Sequence, residues 1–114
     1  MTRDFLDYFE DIGNSIQEID DFTAKMSYPA FIEDKKTVNA VIRSLEVIGE
    51  AAKRIPDEIR TKYPDIPWKR MAGMRDKLIH EYSGVDLEIV WTVIKEELPQ
   101  LKPLIKKIIK TLKN

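Results

Sequence analysis

At 114 residues the chain has the length of one domain, and 43% hydrophobic with 34% charged content describes an ordinary globular protein with a modest core. The absence of cysteine excludes disulfides and thiolate metal sites, and a single histidine leaves too few ligands for an all-protein zinc site, so no metal is expected. A net charge of −1 argues against a surface coated in positive charge for nucleic acid.

Met1-Thr2-Arg3-Asp4 runs straight into acidic residues without the apolar stretch of a signal peptide. No apolar run approaches the ~20 residues of a membrane span, so no membrane association and a cytoplasmic location are expected. Helical periodicity then dominates. Phe5, Tyr8, Phe9, Ile12, Ile16, Ile19 and Phe22 recur at three- and four-residue steps, the pattern of a helix burying one face. Ser27-Tyr28-Pro29 interrupts it, with Pro29 suited to the first turn of a following helix. Glu33-Asp34-Lys35-Lys36 reads as an exposed mixed-charge turn.

A second long helix carries Val38, Val41, Ile42, Leu45, Ile48, Ala52 and Ile55 and ends before Pro56. Gly49 inside it costs about 1 kcal/mol of helix propensity against alanine, which points to close contact with another helix there. A short helix over Asp57 to Lys62 precedes a loop, Tyr63-Pro64-Asp65-Ile66-Pro67. The third long helix starts near Pro67 or Trp68, buries Met71, Met74, Leu78 and Ile79, and stops at Ser83-Gly84. Asp86 is a suitable N-cap for a helix presenting Leu87, Val90, Trp91 and Ile94. Pro99 and Pro103 predict a break or kink before the apolar stretch Leu101 to Leu112. No alternating strand pattern or internal repeat is present. The fold class is all-α, an up-and-down bundle of four to five helices in a single domain over residues 1–114.

Charge is unevenly spread. The first third is acid-rich, from Asp4 to Asp21, while Lys102, Lys106, Lys107, Lys110 and Lys113 carry the tail. Solvated helix faces explain this, and attraction of RNA or an acidic partner is the alternative. Adjacent acids such as Asp20-Asp21 and Glu96-Glu97 point to different helix faces and usually meet water. Trp68 and Trp91 fit core or interface roles. There is no phosphate-binding or dinucleotide-binding glycine pattern and no interleaved basic–aromatic array.

One segment concentrates polar chemistry: Met74-Arg75-Asp76-Lys77-Leu78-Ile79-His80-Glu81-Tyr82. It holds the sole histidine, whose unperturbed pKa permits proton transfer near neutrality. At about 100° per residue, Arg75 and His80 stand roughly 140° apart on a continuous helix, whereas Arg75 and Tyr82 fall within roughly 20°. Convergence of Arg75 and His80 therefore needs either an unwound helix near His80 or two copies of the segment meeting across a two-fold axis.

The stretch Arg75 to Tyr82 resembles the Arg-x4-His-x-Tyr motif of the HEPN superfamily in its HepT-like branch. Val41-Ile42-Arg43-Ser44-Leu45-Glu46-Val47-Ile48-Gly49-Glu50-Ala51-Ala52-Lys53 is similar to that branch's second-helix signature. Ile66 to Met74 leads into the motif and Ser83-Gly84-Val85-Asp86 follows it, so the resemblance covers nearly the whole chain. One departure is Asp76, which stands where many relatives carry asparagine and puts a carboxylate beside a phosphate-binding group.

The resemblance implies a dimeric, metal-independent endoribonuclease toxin, antagonised by a minimal nucleotidyltransferase antitoxin. Arg75 and His80 would be catalytic: His80 as general base or acid, Arg75 as the cation stabilising charge on phosphate. Tyr82 would be the acceptor of AMP units that the antitoxin transfers from ATP, the chain itself using no cofactor. Asp76, Glu50 and Arg43 are candidates for supporting roles around the motif. The competing reading is a non-catalytic HEPN module that binds a nucleotide or a nucleotidyltransferase partner. A purely structural dimeric bundle is a third.

Overall fold

Capping residues and apolar spacing set most of the helices. The structure, a computed structural model, describes residues 4–80 and 84–114, and of His80 the backbone alone. Asp4 caps α1 (Phe5–Thr23) by accepting from the Leu6 N–H at 3.4 Å. Phe9, Ile12, Ile16 and Ile19 are wholly buried along one face of this helix. Phe22, expected on the same face, is 41% exposed. Thr23 takes the buried place one turn after Ile19 instead, its hydroxyl returning to the Ile19 carbonyl at 2.8 Å. The chain leaves the helix at Ala24, and Lys25 with φ 64° completes a turn closed by the Met26 N–H donating to the Thr23 carbonyl at 3.1 Å.

Ser27 caps α2 (Tyr28–Glu33), with Pro29 in its first turn as predicted. Its buried Phe31 packs on Trp91 with ring centroids 5.1 Å apart. Glu33 to Lys36 is no free turn. Asp34 closes α2 and caps α3 (Lys35–Arg54), accepting from the Thr37 N–H at 3.1 Å and its hydroxyl at 2.8 Å. Those hydrogen bonds hold the Asp34 carboxyl below its usual range. The short α4 (Asp57–Lys62) lies where the sequence places it. In the loop that follows, Trp68 donates its indole N–H to the Tyr63 carbonyl at 3.0 Å, and both rings meet Phe9 edge-on.

The motif helix α5 (Trp68–His80) comes next, and Asp86 caps α6 (Leu87–Thr92) by accepting from the Glu88 and Ile89 N–H groups. The predicted break at the prolines does not occur. A π-helical turn, Val93–Glu97, joins α6 to α7 (Leu98–Lys113), and the Leu98 N–H reaches back to the Val93 carbonyl. The wider turn takes up the disruption upstream of Pro99, where a missing N–H and the proline ring would otherwise strain an α-helical ladder. Pro103 sits within α7, whose buried face still carries Leu98, Leu101, Ile105 and Ile108.

The four long helices make the bundle. Helix α3 packs between α1 and α5, and α7 closes the other side of α1. All-α architecture follows from this arrangement, with no strand among the described residues. The acid-rich start and lysine-rich end of the chain are thereby brought together: Lys102 reaches Asp20 at 2.7 Å and Lys113 reaches Glu10 at 3.3 Å. Part of the charge asymmetry is thus spent on the contact between α1 and α7, and Asp20 meets a lysine rather than water alone. Among the described residues, no helix is long and apolar enough to cross a membrane.

Candidate active site

The motif helix α5 is held by one side and open on another. Met71 and Leu78 are buried toward the core. Ile79, expected beside them, is 38% exposed because it falls on the outer edge of the apolar stripe, one turn on from Arg75. Where α3 crosses α5, the contact leaves no room for a side chain at Gly49. A Cβ built on Gly49 would lie 2.1 Å from the Arg75 Cβ and 2.8 Å from the Met71 carbonyl oxygen. The glycine predicted to allow close helix contact therefore seats Arg75 itself.

Arg75 lies at the edge of this interface with 30% of its side chain exposed. Its Nε is buried without a hydrogen-bond partner among the described residues. One terminal nitrogen donates to the Asp76 Oδ1 at 3.2 Å. The same oxygen accepts from the Lys53 ammonium of α3 at 3.0 Å. Lys53 first, and then Arg75, hold the Asp76 carboxyl below its ordinary value. Two cations thus share one carboxylate, and most of the guanidinium's five donors are left for other partners.

Other residues singled out by the motif are distributed differently. Arg43 and Glu50 pair with each other along α3 at 3.4 Å, and Arg43 also lies 3.8 Å from Glu46. These are exposed contacts within one helix, and they do not bring Arg43 or Glu50 to the Arg75 guanidinium. His80 is the last residue of α5, which stays helical through it. In one copy of the chain, the register positions of Arg75 and His80 therefore remain roughly 140° apart. Tyr82 and Ser83 lie outside the described residues. Among the described residues, no group of three or more His, Cys, Asp or Glu side chains is arranged to hold a metal ion.

The opposite side of α5 faces an open cleft of about 660 Å³ toward α6, lined by Arg70, Gly73, Met74, Lys77, Asp86 and Ile89 among others. Gly73 has nothing within 4 Å of its built Cβ, in contrast to Gly49. Arg70 spans one end of the cleft as a two-pronged bridge to Glu97, with the second contact at 2.6 Å. This pairing raises the Arg70 pKa further and gives Glu97 a partner other than water.

Sequence reasoning did not single out Lys53 or Arg70 as site residues. Lys53 stands four residues after Gly49, so the helical register that presses Gly49 onto α5 also carries Lys53 along that seam. That spacing was the available signal. Nothing in the local sequence pairs Arg70 with Glu97, which are brought together only by the packing of α5 against the π-helical turn.

Comparison with known proteins bears on the same segments. A family model described as ribonuclease HepT-like matches residues 12–108, which reach into all four long helices. The chain is 49% identical to a probable ribonuclease HepT of Thermococcus cleftensis, over 95% of this chain and 98% of that protein. It is 53% identical to a Methanocaldococcus jannaschii protein provisionally named an RNase, over 96% and 95% of the two chains. A Caldanaerobacter subterraneus protein with the same provisional name is 43% identical over 90% of this chain and 91% of its own. No solved structure matches the chain. With a family match over most of its length and relatives near half identity end to end, the chain belongs to the HepT-like ribonuclease family.

Proposed function

We propose that this chain is a metal-independent endoribonuclease toxin whose active site forms between two copies of α5, each contributing Arg75 and His80. The observation that carries the reading is the seating of Arg75: its Cβ is pressed onto Gly49 while its guanidinium stays partly open, on the helix that ends at the sole histidine. An arginine fixed in this way meets phosphate without ordering a long side chain at the moment of reaction. Membership of a ribonuclease family supports RNA as the substrate.

The chemistry needs a proton acceptor and a proton donor. One His80 takes the proton of an RNA 2′-hydroxyl, and the oxygen attacks the adjacent phosphorus. The bond to the 5′-oxygen breaks, and the partner copy's protonated imidazole returns a proton to that leaving group. The products are a 2′,3′-cyclic phosphate and a free 5′-hydroxyl. Arg75 stabilises the charge gathering on the non-bridging oxygens. Pairing across a two-fold axis supplies both imidazoles, which one continuous α5 does not. The exposed Ile79, one turn beyond Arg75, offers apolar surface for that contact.

Control is assigned to Tyr82, two residues after His80. AMP units attached there by a minimal nucleotidyltransferase, with ATP as donor, would place negative charge and bulk in the RNA path. The chain needs no cofactor in this scheme.

The test is RNA cleavage by purified, unmodified protein in EDTA, wild type against His80→Ala, with product ends mapped. Cleavage by wild type alone, leaving cyclic phosphates, is the expected outcome. No cleavage by a folded dimer of unmodified mass, across several RNAs, would favour the nucleotide- or partner-binding module. Light scattering that finds only monomer at working concentration would remove the two-copy site. Mass additions in AMP steps that survive Tyr82→Phe would exclude this tyrosine as the acceptor.

A further inference from the structure

Two cations on one carboxylate is an unbalanced arrangement, and it lies at the residue assigned to catalysis. Lys53 comes from α3 and Arg75 from α5, and both donate to the same oxygen of Asp76, at 3.0 and 3.2 Å. A single carboxylate oxygen receiving an ammonium and a guanidinium has the surroundings of a non-bridging phosphate oxygen. None of the three side chains is sealed from solvent: Lys53 is 43% exposed, Asp76 46% and Arg75 30%. The group between the two cations is therefore exchangeable for an anion from outside. The crossing at Gly49 fixes the spacing of the two cation-bearing helices, because neither α3 nor α5 can shift there without changing a backbone contact.

We propose that Lys53 is a second phosphate-binding residue of the active site, and that Asp76 occupies the place between Lys53 and Arg75 that an RNA phosphate takes on binding. This rests on the reading that RNA is cleaved beside Arg75. In the free protein Asp76 keeps two like charges together next to the reaction centre. When RNA binds, a phosphodiester displaces the carboxylate and draws on both cations, so Asp76 lowers affinity while it preserves the geometry. Lys53 and Arg75 then hold one phosphate between them, and Lys53 fixes its position for the reaction at Arg75 and His80.

The experiment measures binding of a synthetic single-stranded RNA by the His80→Ala protein, which separates affinity from turnover. Three further variants are made on it: Lys53→Met, Lys53→Arg and Asp76→Asn, each checked for helical content. Lys53→Met should weaken binding about fivefold at low salt, the effect of one charge contact. It should also reduce the slope of log affinity against log salt by about 0.7, the value for one phosphate contact on a single strand. Lys53→Arg should restore both, and Asp76→Asn should tighten binding. In the cleaving protein, Lys53→Met should raise KM more than it lowers kcat. Unchanged affinity and slope in Lys53→Met, beside intact cleavage by wild type, would reduce Lys53 to a tie between helices and leave the ribonuclease reading standing. Weaker binding in Asp76→Asn would overturn the displacement. Failure of the wild-type protein to bind or cleave RNA would overturn both readings together.

Discussion

The two sides of α5 are built on opposite terms. Toward α3, Gly49 brings backbone against the base of Arg75 with no room for a methyl group. Toward α6, Gly73 looks into an open cleft of about 660 Å³ bridged at one end by Arg70 and Glu97. A glycine is costly within a helix on either side, yet only the first gives something back in packing. The difference teaches where precision resides. Arg75 is placed by a crowded contact between helices, whereas the cleft side leaves space along the motif helix.

Substitutions at the two glycines should separate these terms most clearly. Gly49→Ala should destabilise the fold by about 3 kcal/mol, because the new methyl meets Arg75 and the Met71 carbonyl and the helices must part. Urea denaturation reads this directly, and a change below about 0.5 kcal/mol would show that α3 and α5 yield easily. Gly73→Ala should act in the other direction, raising stability by up to about 1 kcal/mol through helix propensity alone. A loss instead would mean that this face of α5 is occupied in the assembled protein.

Smaller effects test the bridges. Arg70→Met should cost about 0.5 kcal/mol, since the arginine is 59% exposed and water replaces much of what Glu97 provides. Its salt dependence should vanish along with the bridge. The pH response should be the slightest above acid conditions. Asp76 and Asp34 both have folded-state pKa values below the ordinary carboxylate value of 3.8. A depressed folded pKa gives stability that is fully present above the unfolded value and is lost as pH falls through the folded one. Thermal unfolding midpoints should therefore be insensitive to these two groups above about pH 5 and fall below about pH 4. Asp76→Asn and Asp34→Asn should each flatten part of that acid limb.

Much of the helical order was legible in the residues because it is local. The spacing of Phe9, Ile12, Ile16 and Ile19, the proline after Ile55, and Asp86 ahead of Leu87 each act within one or two turns. Expectations that went astray were also local rules, overridden by neighbours distant in sequence. Phe22 and Ile79 fit the apolar period but fall at the margins of what α3 and the other helices cover. Of the break or kink expected at the prolines, the break does not occur: a π-helical turn with Val93 and Ile94 buried runs on into α7.

The candidate site divides along the same line. Periodicity, capping and the motif spacing established an all-α chain with Arg75 and His80 on one helix, since these are properties of a chain read a few residues at a time. Gly49 announced a close contact but could not say with what. Only the tertiary structure decided that the contact is Arg75 and that Lys53 shares Asp76 with it from another helix. Such pairings depend on how two helices cross, which is set by the summed packing of the bundle and by no single stretch of sequence.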